Sequence, residues 1–233
     1  MTTIAARLQA VRNRIRSAAE SAGRRPESIQ LLAVSKTFAP DFLREAHGLD
    51  QRDFGENYVQ EAESKVVALA GCIPPITWHF IGPIQSNKTR QIAELFQWVH
   101  GIDRLKIAER LSSARAASLP PLNVCIQVNV SGEASKSGVA PGDAPALAKA
   151  ISGLPGLRLR GLMAIPEPTD DMALLRSRYR QVRELKDDIV AGGIALDTLS
   201  MGMSDDLETA IAEGSTLVRI GRAIFGERPR RQD

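Results

Sequence analysis

IQLLAVSK, residues 29–36, is a short apolar run rich in branched side chains and bounded by turn formers, the pattern of a strand buried on both faces. It delivers Lys36 to the carboxyl end of that strand. Seven similar runs recur outward from it: LDQRDFGEN near 49–57, TWHFIG at 77–82, FQWVHGI at 96–102, NVCIQVNV at 123–130, LRLRGLMAI at 157–165, LDTLSMG at 196–202 and TLVRIG at 216–221. Between them, Met172, Leu175, Tyr179, Val182, Leu185 and Ile189 keep to one face of a helix over 171–191, and 58–70, 85–95, 103–117 and 142–152 read as shorter helices. The chain opens on another helix, with Ile4, Leu8, Val11 and Ile15 in one stripe and Thr3 placed to cap it.

Strands alternating with helices predict βαβ units and a parallel sheet. Eight of them predict an α/β fold, a (β/α)8 TIM-type barrel with an N-terminal helix, forming one domain over residues 1–233. An open doubly wound sheet is the competing architecture, but no glycine-rich dinucleotide turn follows the first strand. The Gly-, Ser- and Pro-rich stretch 131–146 reads as a long loop at the barrel mouth.

Composition narrows the function classes. With 43% hydrophobic and 24% charged residues in 233, the chain fits a globular domain with a sizeable core. Thirty Lys and Arg against 27 Asp and Glu leave a net charge of +3, spread along the chain, which gives no sign of nucleic-acid binding. Cys72 and Cys125 lie far apart without neighbours at metal-ligand spacing, so no metal is expected. No apolar stretch approaches the roughly 20 residues of a membrane span, and MTTIAARLQAVRNRIRS mixes charge with apolar residues unlike a signal peptide. The expected compartment is the cytoplasm.

A closed parallel barrel carries its site at the carboxyl ends of its strands. The polar residues there are Lys36, Glu56, Asn57, His79, Asn129, Ser200, Ser204, Arg219 and Arg222. A lysine carried out of LLAVS into a barrel mouth is partly desolvated, which frees its amine as a nucleophile; the alternative is a lysine that snorkels to solvent. In GSTLVRIGRAIFG, Gly221 follows the last strand and precedes a short helical start, whose amides can bind an anion. SMGMSDDLETAIAEG repeats that design, with Gly202 for a tight turn and Ser204 as a helix cap, although Asp205 and Asp206 disfavour phosphate and ordinary capping explains the turn equally well. Alternation in LVRI sends Val218 and Ile220 toward the helices and Arg219 into the barrel, to meet either a ligand or an inward carboxylate such as Glu56. His79 reads as a core histidine or a site residue, and Asn87 and Lys88 as mouth loop or solvated surface.

The sequence resembles the pyridoxal phosphate homeostasis proteins, whose fold is similar to the barrel domain of alanine racemase. Seven stretches in order carry the likeness: LLAVSKT around Lys36, DFGENYVQE at 53–61, WHFIGPIQSNKT at 78–89, VNVSGEASKSG at 128–138, GLMAIP at 161–166, LSMGMSDDLETAIAEGST at 199–216 and VRIGRAIFG at 218–226. The resemblance implies pyridoxal 5′-phosphate held as a Schiff base on Lys36, its phosphate near Ser200 and Gly221, its pyridine nitrogen facing Arg219, and Asn57 lining its other side. Many relatives carry a threonine where this chain has Arg222, so that side chain either contacts the phosphate or turns outward.

An arginine at the pyridine nitrogen disfavours the protonated ring and weakens its pull on electrons. No second domain is expected to supply an opposed base, and Tyr58 and Tyr179 fall on connecting segments. The expected role is therefore a monomeric carrier or buffer that hands the cofactor to apo-enzymes, with no catalytic residue of its own. The alternatives are an amino-acid racemase using pyridoxal phosphate and an aldolase-like barrel that forms an imine with a sugar phosphate.

Overall fold

The protein is described from a computed structural model that covers residues 3–132 and 137–227. Helix α1 (Ile4–Ser21) begins at Thr3, whose hydroxyl accepts from the Ala6 amide, and buries the Ile4, Leu8, Val11, Ile15 stripe. Eight strands follow: β1 (Gln30–Val34), β2 (Asp53–Glu56), β3 (Thr77–Phe80), β4 (Trp98–Ile102), β5 (Leu122–Val128), β6 (Leu157–Ala164), β7 (Thr198–Ser200) and β8 (Leu217–Ile220). Helices α2 (Pro40–Gly48), α3 (Val59–Ala68), α4 (Thr89–Leu95), α5 (Leu105–Ala114), α6 (Ala144–Ser152), α7 (Met172–Ala191) and α8 (Leu207–Ala212) alternate with them, and α9 (Arg222–Phe225) follows the last. Every strand pair is parallel, and β1 pairs with β8, Leu32 opposite Arg219, so the sheet closes into the expected barrel.

Alternation along the strands divides the interior in two. Val99, Val124, Ile126, Leu162, Leu199, Val218 and Ile220 join the large apolar core between barrel and helices. Their neighbours Trp98, Cys125 and Met163 form a separate small cluster inside the barrel. The inward set also contains His79, His100, Ser200 and Arg219, all buried. Burial pushes the Cys125 thiol up to about 12, which makes it an inert packing group.

Helix α2 has no counterpart among the expected helices. Proline at its first turn fixes the local backbone, and Leu43, Ala46 and His47 form its buried face. At α8 the N-cap is Asp206 rather than Ser204, and Asp206 Oδ1 accepts from the Met203 amide at 2.5 Å. Gly202 does occupy the turn assigned to it, at φ 96°, a conformation that glycine adopts without a Cβ penalty. Within the expected loop 131–146, residues 133–136 lie outside the described residues, 141–143 form a 3-10 turn, and α6 begins at Ala144. No helix among the described residues is long and apolar enough to cross a membrane, and among them no group of His, Cys, Asp and Glu could hold a metal ion.

Candidate functional site

At the carboxyl ends of the strands lies a cavity of about 490 Å³ lined by Val34, Lys36, Phe38, Asn57, Ile81, Ile165, Met203, Ser204, Asp205, Arg219, Gly221, Arg222, Gly226 and Glu227, a size that suits a small-molecule ligand. Five of the six expected site residues therefore meet in one place: Lys36, Asn57, Arg219, Gly221 and Arg222. The seam between first and last strands is tight here, since a Cβ built on Gly221 would stand 3.1 Å from the Val34 carbonyl oxygen. Lys36 is thus brought to the turn after β8, as its place after β1 requires.

Ser200 is the expected residue that does not reach the cavity. It is buried, its Oγ lies 2.8 Å from His100 Nδ1, and it accepts from Arg219 Nη1 at 2.8 Å. Its inward position on β7 puts it beneath the site, and Ser204, in the following turn, lines the cavity instead.

Arg219 enters from β8 without the carboxylate partner that Glu56 offered. Its Nη1 donates also to the Ser200 carbonyl, and its Nη2 donates to the Ala164 carbonyl at 2.9 Å. Burial lowers its pKa, yet a guanidinium remains a donor only, and its remaining N–H groups can be offered to a ligand acceptor. Asn57 contributes a buried side-chain oxygen with no hydrogen-bond partner, a cost that a ligand donor in the cavity would remove.

Glu56 serves the backbone around Lys36. It accepts from Ser35 Oγ at 2.6 Å and from Lys65 Nζ at 2.7 Å, while Lys65 donates at 2.7 Å to the Ser35 carbonyl and at 2.6 Å to Glu61. Glu61 also accepts from the Thr37 amide, and Thr37 sits at φ 72°, a left-handed conformation that a threonine adopts only when held. Residues on both sides of Lys36 are therefore clamped by α3. Burial pushes the Glu56 carboxyl up, opposed by Lys65 and Ser35. The only local sign of the clamp in the sequence is that Glu61 and Lys65 stand four apart on one helix face.

The remaining candidates lie elsewhere. His79 is in the barrel core, its Nε2 3.0 Å from Asp53. Asn129 follows β5 and accepts from the Gly132 amide at 3.2 Å. Asn87 and Lys88 occupy a 3-10 turn before α4. Arg222 turns to Asp205, 3.2 Å away, with both side chains exposed at the cavity rim.

A closed barrel with an amine after its first strand, set against turns that follow its seventh and eighth, defines the lysine-bearing barrels that seat a small phosphorylated ligand at the strand ends. Comparison with known proteins narrows that class. The chain belongs to the family described as alanine racemase, N-terminal domain, which matches residues 6–229, and within it to the pyridoxal phosphate homeostasis proteins. It is 64% identical to the pyridoxal phosphate homeostasis protein of Pseudomonas aeruginosa over 228 residues, 98% of this chain and 97% of that one. It is 52% identical to the Escherichia coli protein of the same name over 229 residues, 98% of each. Among solved structures it resembles PipY of Synechococcus elongatus with PLP bound, at TM-score 0.84 and 36% identity over 96% of this chain and all of that one. Alanine racemase of Clostridium difficile shares the fold, at TM-score 0.71 and 12% identity over 94% of this chain and 56% of that one.

Proposed function

We propose that the protein binds pyridoxal 5′-phosphate in the strand-end cavity, covalently through a Schiff base to Lys36, and acts in the cytoplasm as a monomeric carrier that supplies the cofactor to apo-enzymes. The observation that carries this reading is the convergence of Lys36, Asn57, Arg219, Gly221 and Arg222 on one cavity. When bound, the cofactor supplies an aldehyde for an amine, a phosphate for anchoring and a ring that can draw electrons. Asn57 and Arg219 fit that group, the first with an unpartnered buried oxygen and the second with a cation that meets no carboxylate in its own hydrogen bonds.

Lys36 presents the nucleophile on a clamped backbone, the turn at Gly221 offers amides to the phosphate, and Arg219 keeps its protons so that a ring nitrogen facing it stays neutral. That choice favours holding over reaction. Tyr179 donates to Asp206 at 2.7 Å, and burial together with Asp206 pushes its phenol up, while Tyr58 is exposed at the start of α3. Neither is disposed as an acid or base across the cavity.

The purified protein is expected to absorb in the visible region, and borohydride reduction followed by peptide mapping is expected to label Lys36. A label at another lysine overturns the assignment, and robust racemisation of an amino acid by the loaded protein overturns the carrier role. At the rim, Asp205 competes with any phosphate for Arg222. Asp205→Asn should tighten cofactor binding about threefold, within the range of one exposed ion pair. Equilibrium titration checks this, and the gain should vanish in the Asp205→Asn/Arg222→Ala double variant.

A further inference from the structure

Beneath the cavity a chain of hydrogen bonds crosses the barrel through five strands. Asp53, the first residue of β2, places Oδ1 3.0 Å from His79 Nε2. His79 Nδ1 is 3.0 Å from His100 Nε2, and His100 Nδ1 is 2.8 Å from Ser200 Oγ. Arg219 Nη1 completes the chain by donating to Ser200 Oγ at 2.8 Å. The His79 ring is held in place by stacking on Trp98, with centroids 5.4 Å apart and planes 8° apart, and Arg160 covers that indole at 4.8 Å.

Only one arrangement of protons satisfies all these contacts. Burial lowers the pKa of both histidines, with His79 and Arg219 adding to the effect on His100, so each imidazole is neutral with one donor and one acceptor. The Asp53 carboxylate accepts, which puts the His79 proton on Nε2. His79 Nδ1 then accepts, so His100 carries its proton on Nε2 and accepts at Nδ1. Ser200 must donate to His100, which leaves its lone pair for the guanidinium. Every proton points away from Arg219 toward Asp53, and the chain has a fixed polarity.

We propose that His79 and His100 are positioning residues for Arg219, and that the Asp53–His79–His100–Ser200 chain is its remote counter-ion, orienting the guanidinium toward a neutral acceptor in the cavity. The proposal rests on the reading of that cavity as the cofactor site. A proton path to the cavity does not account for the chain, because it would have to end on a group that releases its proton, and guanidinium does not. The nearer carboxylate, Asp206, attracts Arg219 but is hydrogen-bonded to Tyr179 and Met203, so it does not fix the guanidinium plane.

Nitrogen NMR of the full-length labelled protein tests the chain without any cofactor. His79 and His100 should both show the neutral Nε2–H form at pH 7 and above, and His100 should keep it through the range where an unperturbed histidine changes charge. A proton on Nδ1 of either, or a charged ring at neutral pH, overturns the proposal. With cofactor bound, Ser200→Ala should speed its release about tenfold, the order of one lost hydrogen bond to a charged group, and shift its absorption maximum. Asp53→Ala, at the far end of the barrel, should shift the same band in the same direction by a smaller amount, which a purely structural role would not produce. A normal parent band unmoved in both variants overturns the positioning role alone. Absence of any Lys36-dependent band in the parent sinks the cofactor reading, and the positioning role with it, while the NMR result still decides whether the chain exists.

Discussion

Replacing Lys36 with alanine is expected to abolish the visible band and to weaken retention of pyridoxal 5′-phosphate by at least about a hundredfold, the loss of two or more factors of 1.4 kcal/mol. The magnitude follows from what the substitution leaves behind. The turn at Gly221, the Arg219 donors and Asn57 still line the cavity, so on the proposed reading only the covalent link is lost. Dialysis followed by titration at equilibrium measures this, and Lys36→Arg, which retains a positive charge but forms no imine, should behave like the alanine variant. If Lys36→Ala instead releases cofactor no faster than the parent, the amine is a bystander and the Schiff base must be sought elsewhere.

The largest effect on stability is expected from Lys65→Met. Lys65 and Glu56 are both buried and 2.7 Å apart, and removing one member of such a pair leaves an uncompensated charge at a cost of about 3–5 kcal/mol. The cost should depend on pH. The folded-state pKa of Glu56 is raised by burial even in the parent, so its contribution is full below the unfolded-state value and declines as pH climbs through the folded-state value. Lys65 limits that decline by pulling the carboxyl down. Without it the decline runs further, and the gap between variant and parent should be small near the ordinary carboxyl pKa of 4.5 and should widen toward neutrality. Urea unfolding at several pH values measures the gap, and Glu56→Gln/Lys65→Met should recover much of the loss because the fully buried charge is then gone and only the partly exposed Glu61 is left without its partner. A gap that narrows with rising pH contradicts the assignment. The same variant should loosen cofactor retention, since the Ser35 carbonyl loses its Lys65 donor and Glu61 loses its partner beside Thr37.

Much of this architecture is legible in the sequence because buried parallel strands leave largely apolar runs, and all eight expected strands form, although the second, DFGE, is mostly polar. The inward direction of Arg219 was equally readable, since Val218 and Ile220 alternate with it. Its partners were not. Arg219 is held by Ser200 and the Ala164 carbonyl, 19 and 55 residues away, and no local pattern reports such contacts. The same holds for His79, His100 and Ser200, which meet only when the sheet closes. A trace is present, since WHF, VHGI, LSM and LVRI each place a polar residue among apolar ones. Helix α2 is hard to see in the sequence because nine residues give only three buried positions, whereas the 20 residues of α7 repeat their stripe. Serine favours the cap role expected of Ser204, but Asp206 takes the boundary two residues later.

The close approach of Gly221 to the Val34 carbonyl places the ligand seat where the barrel is sewn shut. Lys36 comes from the opening third of the chain and Arg219, Gly221 and Arg222 from its last turns, so an occupant gripping both behaves as a rivet between beginning and end. Its binding then stabilises the folded state by an amount that grows with the logarithm of its concentration once that exceeds Kd. On the proposed reading, an empty protein differs from a loaded one in how firmly its first and last strands hold together.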